Sequence, residues 1–235
     1  SSLLPNLWKK YQPAPEAKVP PLPANFGETA GGLNNLRGPY QSKSDPWDEK
    51  QWQRHRYAYF RMVEDVDQQV GQVLAALRQT GQEDNTVIIF TSDHGEGLGS
   101  HRWIGKEMFY DEEAAVPLIV SWKGVTPAGR IDREHLVSTL DVLPTICDYA
   151  GIQAPPAMRG GSLREVIEKP EQPGHEFVVS EMAGVAGHSS ARFQPSPSNQ
   201  VAVAGMAGGG AETPAGRSFM VRTKQYKYVF FPGAD

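Results

Sequence analysis

The sequence predicts an α/β chain with a smaller antiparallel sheet appended, and three observations carry that prediction. Over residues 50–80, Val63, Val66, Val70, Val73, Leu74 and Leu77 recur at three- and four-residue steps, drawing one apolar stripe along a helix that Gly81 ends. Residues 87–90 (VIIF) and 116–122 (VPLIVSW) are unbroken apolar runs, the texture of strands buried on both faces of a parallel sheet. After Gly161 the runs turn short and alternating, in HEFVVSEM, RSFMVRT and QYKYVFF. These read as antiparallel strands, the last two joined by a tight turn near Lys224 and Gln225.

The remaining elements follow in order. Pro13, Pro15, Pro20, Pro21 and Pro23 make residues 11–25 an extended segment without regular helix. STLDVLPTICDYAG (138–151) reads as a short helix with Ser138 as its cap, Gly151 as its stop and Pro144 at a start or a kink. Residues 183–217, rich in Gly, Ala and Ser, read as a long loop. The organisation expected is a Pro-rich extended segment over 1–45, an α/β part over 46–170, and an antiparallel part over 171–235. The chain opens without a first strand and stops just after a strand-like run, so a piece of something larger is expected.

Composition excludes some classes of function. The 235 residues are 39% hydrophobic, enough for a core, and the formal charge of −4 opposes nucleic acid as a partner. No apolar run reaches membrane-spanning length, and SSLLPNLWKKYQPAP lacks the pattern of a signal peptide. A single cysteine, Cys147, excludes an internal disulfide.

The chemistry concentrates where the first apolar run ends. TSDHGEGLGSH (91–101) places a carboxylate and an imidazole beyond the carboxyl end of a strand, where ligands of open α/β sheets gather. Glycines at 95, 97 and 99 allow a bend that turns Asp93 and His94 towards one point, and both residue types bind metals. The other reading is a surface turn, with Asp93 as its cap and His94 as an ordinary loop residue. Lys106 is a compact charge able to hold an anionic oxygen, and His101 a group able to donate a proton; each alone reads equally as a surface residue. Asp67, at the margin of the apolar stripe, reads as a buried hydrogen-bonded carboxylate, with a ligand role as the alternative; Glu64 and Asp65 belong to the solvated face. Asp141 reads as a cap at the helix start or a holder of a neighbouring loop, the cap being favoured. His55, His135, His175 and His188 show no partner spacing.

DNTVIIFTSDHGEGLGSHRWIGKEMFYDEEAAVPLIVSWKG strongly resembles the C-terminal half of the type I sulfatases, within the alkaline phosphatase superfamily. YFRMVEDVDQQVGQVLAAL before it, and VSTLDVLPTICDYAGI with MRGGSL after it, extend the resemblance over roughly residues 50–165. The implied fold is a mixed sheet with flanking helices. The implied activity is sulfate ester hydrolysis by a hydrated formylglycine made from Cys or Ser in a C/S-x-P-x-R motif, assisted by a divalent cation and lysines. Carried onto this chain, Asp93 and His94 become metal ligands and Lys106 the sulfate-contacting lysine. His101 fits the Gly-x-His step before that lysine. Calcium is the cation expected, with Mg²⁺ or another divalent ion as alternatives, because one imidazole is not what hard Ca²⁺ prefers.

No C/S-x-P-x-R occurs here; Cys147 is followed by Asp-Tyr-Ala. The nucleophile is therefore expected upstream, in an N-terminal half of the same protein. A sulfated small molecule or glycan is the expected substrate, and periplasmic or secreted location is common in the family. Two other readings stay open: a phosphodiester or phosphonate monoester hydrolase of the same superfamily, and a sulfatase-like binding module without catalysis.

Overall fold

The computed structural model describes residues 9–11, 19–28, 44–106, 108–183 and 217–230. His188, most of the Pro-rich segment 1–45 and all but the ends of the loop 183–217 lie outside the described residues.

Helix α1, Glu49–Gln79, begins at a reciprocal cap: Asp48 Oδ1 accepts from the Gln51 amide at 2.8 Å, and Gln51 Oε1 accepts from the Asp48 amide at 2.9 Å. It stops before Gly81, whose φ of 70° a side chain would resist. Its buried face is not the valine stripe. Trp52, His55 and Ala58 are buried, and Trp52 meets Phe26 and Trp47 edge-on at 5.3 and 5.2 Å. Val63, Val66 and Val73 stay 50%, 51% and 68% exposed. Periodicity reports that a face is apolar, while what covers it depends on which other residues are at hand. Asp67 is exposed rather than buried, and Asp65 accepts from the Tyr11 hydroxyl at 2.5 Å.

Strand β1, Ile88–Thr91, pairs with β2, Leu118–Ser121, in the register Ile88↔Ser121 to Thr91↔Leu118. The pair is antiparallel, which corrects the parallel, doubly buried expectation. Unbroken apolar content marks strand faces made for burial but carries no sign of direction, which the connection between the strands sets. Phe90 and Ile119 stand opposite each other and both are exposed.

Between these strands lies the one-turn helix α2, Asp111–Ala114. A 3₁₀ turn over Thr139–Asp141 runs into α3, Val142–Tyr149, with Pro144 in its first turn, where no amide is needed. Asp141 does not cap α3. Its carboxylate, in a residue only 1% exposed, accepts from the Ser138 amide at 2.8 Å, the Gly161 amide at 2.9 Å and His175 Nε2 at 2.9 Å. It therefore ties the 3₁₀ turn to the MRGGSL loop, and a Cβ at Gly160 would overlap the Leu140 carbonyl there. Helix α4, Arg164–Glu168, follows, unannounced by any periodicity.

The C-terminal sheet matches the expectation: β3, Phe177–Ala183, β4, Arg217–Thr223, and β5, Lys227–Phe230, form an antiparallel sheet in chain order. Thr223 and Tyr226 close its hairpin with amide bonds of 2.8 and 2.9 Å. No helix of the described residues is long and apolar enough to cross a membrane.

His55 carries a stability prediction. Burial, helped by the neighbouring Arg56 charge, lowers its pKa to about 4, and Nε2 has no hydrogen-bond partner among the described residues. The unfolded chain binds this proton near pH ~6.5. The contribution of a neutral His55 is thus complete above that pH and lost as the pH falls towards about 4, to the extent of roughly 3 kcal/mol. Urea midpoints taken near neutrality and near pH ~4.5 are expected to converge in His55→Leu relative to the parent; equal pH dependence in both proteins contradicts the assignment.

Candidate active site

The site grows from the end of β1. Ser92 Oγ donates to the His94 carbonyl at 2.9 Å, and the His94 amide donates to Asp93 Oδ1 at 3.0 Å, a tight turn that presents the Asp93 carboxylate 82% exposed. That amide bond, with the His94 ring beside it, holds the Asp93 carboxyl below the usual carboxylate range. Asp93 Oδ2 stands 3.5 Å from His94 Nε2.

His94 is presented by one specific tautomer. Its Nδ1 lies 2.7 Å from the Gly95 carbonyl, which only accepts, so Nδ1 carries the proton. Nε2 then keeps its lone pair and accepts from Lys106 Nζ at 2.8 Å. A backbone carbonyl on one ring nitrogen and an unprotonated second nitrogen, here accepting from Lys106, is the tautomer a metal-ligating histidine takes.

The glycines work differently from the expected bend. Gly95 and Gly97 have negative φ, and their function is close approach. The Gly95 amide donates to Glu113 O at 2.7 Å and Glu96 to Glu112 O at 3.0 Å, and a Cβ at Gly95 would overlap the Glu112 carbonyl oxygen. A Cβ at Gly97 would lie 2.8 Å from Trp103 O. Only Gly99 needs a positive φ, of 93°.

Several residues that the sequence did not single out hold the loop carrying Lys106. Glu96 Oε1 accepts from the Gly105 amide at 2.5 Å and from Leu98 at 3.3 Å, pinning both arms of the loop. Arg56 of α1 donates to the Leu98 carbonyl at 2.6 Å, where Leu98 adopts φ 47°. Trp103, Ile104, Met108 and Phe109 are buried beneath. Lys227 of β5 donates to Phe109 O at 2.8 Å and Asp111 Oδ1 at 2.6 Å, docking the C-terminal sheet on the far end. The only sequence signal for Glu96 is a charge between two glycines; Arg56 and Lys227 have none.

Asp93, His94 and Lys106 are thus brought together. Among the described residues His101 shares no hydrogen bond or ion pair with these three; its ring is engaged by Asn25, Glu28 and Tyr110, with Glu112 Oε2 3.9 Å from Nε2. Nor do the described residues contain a group of three or more His, Cys, Asp or Glu able to hold a metal.

An aspartate, a histidine and a lysine thus gather past the end of β1, the place where ligands of open α/β sheets bind. The Sulfatase family model matches residues 14–152, and the chain belongs to that family. A Delta 4,5-hexuronate-2-O-sulfatase of Bacteroides thetaiotaomicron is 33% identical over 196 residues, 78% of this chain and 39% of that protein. Among solved structures, a 2-O GAG sulfatase superposes with a TM-score of 0.72 at 26% identity, over 96% of this chain and 47% of the other. A phosphonate monoester hydrolase from Silicibacter pomeroyi superposes with a TM-score of 0.67 at 26% identity, over 92% and 42%. The chain spans less than half the length of each of these relatives.

Proposed function

We propose that this chain is the C-terminal part of a sulfuric ester hydrolase, supplying two metal ligands and one sulfate-contacting lysine to a nucleophile carried elsewhere in the same protein. The observation that supports it most is His94 Nε2, kept unprotonated by the Gly95 carbonyl on Nδ1, facing Lys106 and set 3.5 Å from an exposed Asp93 oxygen. Donors about 2–2.5 Å from one cation stand at about that separation. The donor set fits a divalent ion as two of its ligands, and the others come from outside this chain. When bound, such an ion supplies Lewis-acid polarisation of a sulfate oxygen. Lys106, 2.8 Å from His94 Nε2, would contact a sulfate oxygen beside such an ion and offset the charge that grows there. The nucleophile expected from the family is formylglycine.

A polypeptide partner within the same protein is supported by the open apolar surface. Val63, Val66 and Val73 on α1, Phe90 and Ile119 on the β1–β2 pair, and Leu140 and Leu143 beside α3 are all exposed large hydrophobics. The N-terminal half of the protein is the occupant proposed for them.

The two 2-O-sulfatase relatives favour a sulfated sugar as substrate. The phosphonate monoester hydrolase likeness favours, as second reading, hydrolysis of phosphonate monoesters at the same metal geometry. The test compares full-length protein and the 235-residue chain on 2-O-sulfated uronate oligosaccharides, aryl sulfates and aryl phosphonate monoesters. Sulfate release by the full-length protein alone is expected. A preference for the phosphonate moves the assignment to the second reading, and turnover by the 235 residues alone sinks the divided site. Calcium binding without turnover of any ester leaves the binding-module reading in its place.

A further inference from the structure

The segment 19–28 lies across the loop that carries Lys106, and its contacts converge on His101. The Asn25 carbonyl accepts from the His101 amide at 3.2 Å, and the Glu28 carbonyl stands 2.9 Å from His101 Nδ1. Asn25 Nδ2 lies 3.2 Å from His101 Nε2 and donates to Glu112 Oε1 at 2.7 Å. The ring stacks on Tyr110, with centroids 4.1 Å apart and planes 15° from parallel. Next to it, the Arg102 guanidinium covers Phe26 at 5.2 Å, and Phe26 meets Trp52.

These contacts determine which nitrogen carries the proton. Glu28 O only accepts, so Nδ1 donates to it. Burial pushes the Glu112 carboxyl up, but its own amide, the Asn25 amide, the His101 ring and Ser100 together keep the group below the usual range, hence ionised. An ionised Glu112 can only accept, so the Asn25 NH₂ group faces it, and the second N–H of that group points at His101 Nε2. In this arrangement Nε2 accepts from Asn25 at 3.2 Å, the nearest polar group to it, while Glu112 Oε2 stands further off at 3.9 Å. A proton on Nε2 would set it against the Asn25 N–H and break that hydrogen bond. His101 and Arg102 also carry φ of 53° and 55°, left-handed values that non-glycine residues hold only when their surroundings over-determine them.

We propose that Asn25 is a positioning residue which fixes the His101 ring as a post for the Gly99–Lys106 loop, so that His101 sets where Lys106 stands and does not itself give a proton to the leaving alcohol. The proposal rests on Lys106 being the sulfate-contacting lysine, and it replaces the proton-donor role that the Gly-x-His step suggests. It also gives the Pro-rich segment a function: prolines at 20, 21 and 23 restrict the chain leading into the turns over residues 23–28 that present Asn25 and Glu28, at little entropic cost.

The test uses the full-length protein with Asn25→Ala and His101→Gln, and aryl sulfates whose phenols span a range of acidity. Each variant is expected to lower kcat/KM by about ten- to a hundredfold, the scale for a misplaced group, by the same factor for every phenol. Amides of residues 97–105 are expected to exchange with deuterium about five- to tenfold faster in Asn25→Ala, while those of the C-terminal half of α1 are unchanged. A loss that steepens as the phenol becomes less acidic identifies His101 as the proton donor and overturns the proposal. Loop exchange indifferent to Asn25→Ala overturns it as well. If the parent protein cleaves no sulfate ester, the sulfatase reading fails, and the exchange measurement still decides whether the clamp exists.

Discussion

Lys106→Met in the full-length protein is expected to lower kcat for sulfate ester hydrolysis by about a hundred- to a thousandfold, with calcium affinity equal or tighter. The first half of this expectation follows from what the ammonium does. It is exposed, it is held only by the His94 Nε2 lone pair at 2.8 Å, and it is the one cation in contact with the Asp93–His94 pair among the described residues. Removing a donor preorganised for charge that grows in the transition state costs about 3–4 kcal/mol, whereas methionine keeps the length and most of the volume of the chain. The second half follows from the sign of the charge. A positive group beside a cation site opposes binding, so its loss cannot weaken the ion. Asp93→Asn is expected to behave oppositely, weakening calcium first and turnover as a consequence. Calorimetric calcium titration beside steady-state kinetics separates the two. Full turnover in Lys106→Met, or unaltered calcium binding in Asp93→Asn, removes the residue concerned from the site.

Gly95→Ala is expected to destabilise the protein by about 3 kcal/mol, at the upper end of overpacking costs, and to disorder the loop ahead of the rest of the molecule. No φ argument applies at this position. The added Cβ would overlap the Glu112 carbonyl oxygen and lie 3.1 Å from Glu113 Cα, both backbone, so no rotamer change relieves it. Relief means parting residues 95–96 from 112–113 and giving up amide bonds of 2.7 and 3.0 Å. Gly105→Ala is the control with a different physics. There a Cβ meets nothing within 4 Å, but φ is 81°, so the cost is conformational, about 1–2 kcal/mol. Denaturant midpoints should place Gly95→Ala well below Gly105→Ala. The reverse order would show that the close approach of the two backbones is not maintained in solution.

Much of this was legible in the sequence because it depends on local chemistry. The end of α1 at Gly81, the Ser138 turn, the β4–β5 hairpin and the grouping of Asp93 with His94 all follow from residue type and spacing within a few positions. The Nδ1-protonated tautomer of His94 was not legible, since it depends on the Gly95 carbonyl lying against Nδ1. Nor was the placement of His101. In the sequence it stands five residues before Lys106 and shares its motif, yet its ring is claimed by Asn25 and Glu28, more than seventy residues upstream.

By itself, then, the sequence determined the alternation of helix and strand, the family resemblance and the residue types gathered past the end of β1. Side-chain periodicity and turn chemistry are properties of neighbours along the chain, and they survive without a fold. Tertiary structure alone decided the antiparallel pairing of β1 with β2, the burial of Trp52 in place of the valine stripe, the turning of Asp141 towards Gly161 and His175, and the hold of Asn25 and Glu28 on the His101 ring. Each of those is a contact between segments far apart in sequence. Direction, burial and hydrogen-bond partner are set there by which backbone or side chain arrives from elsewhere, and no local pattern encodes the arrival.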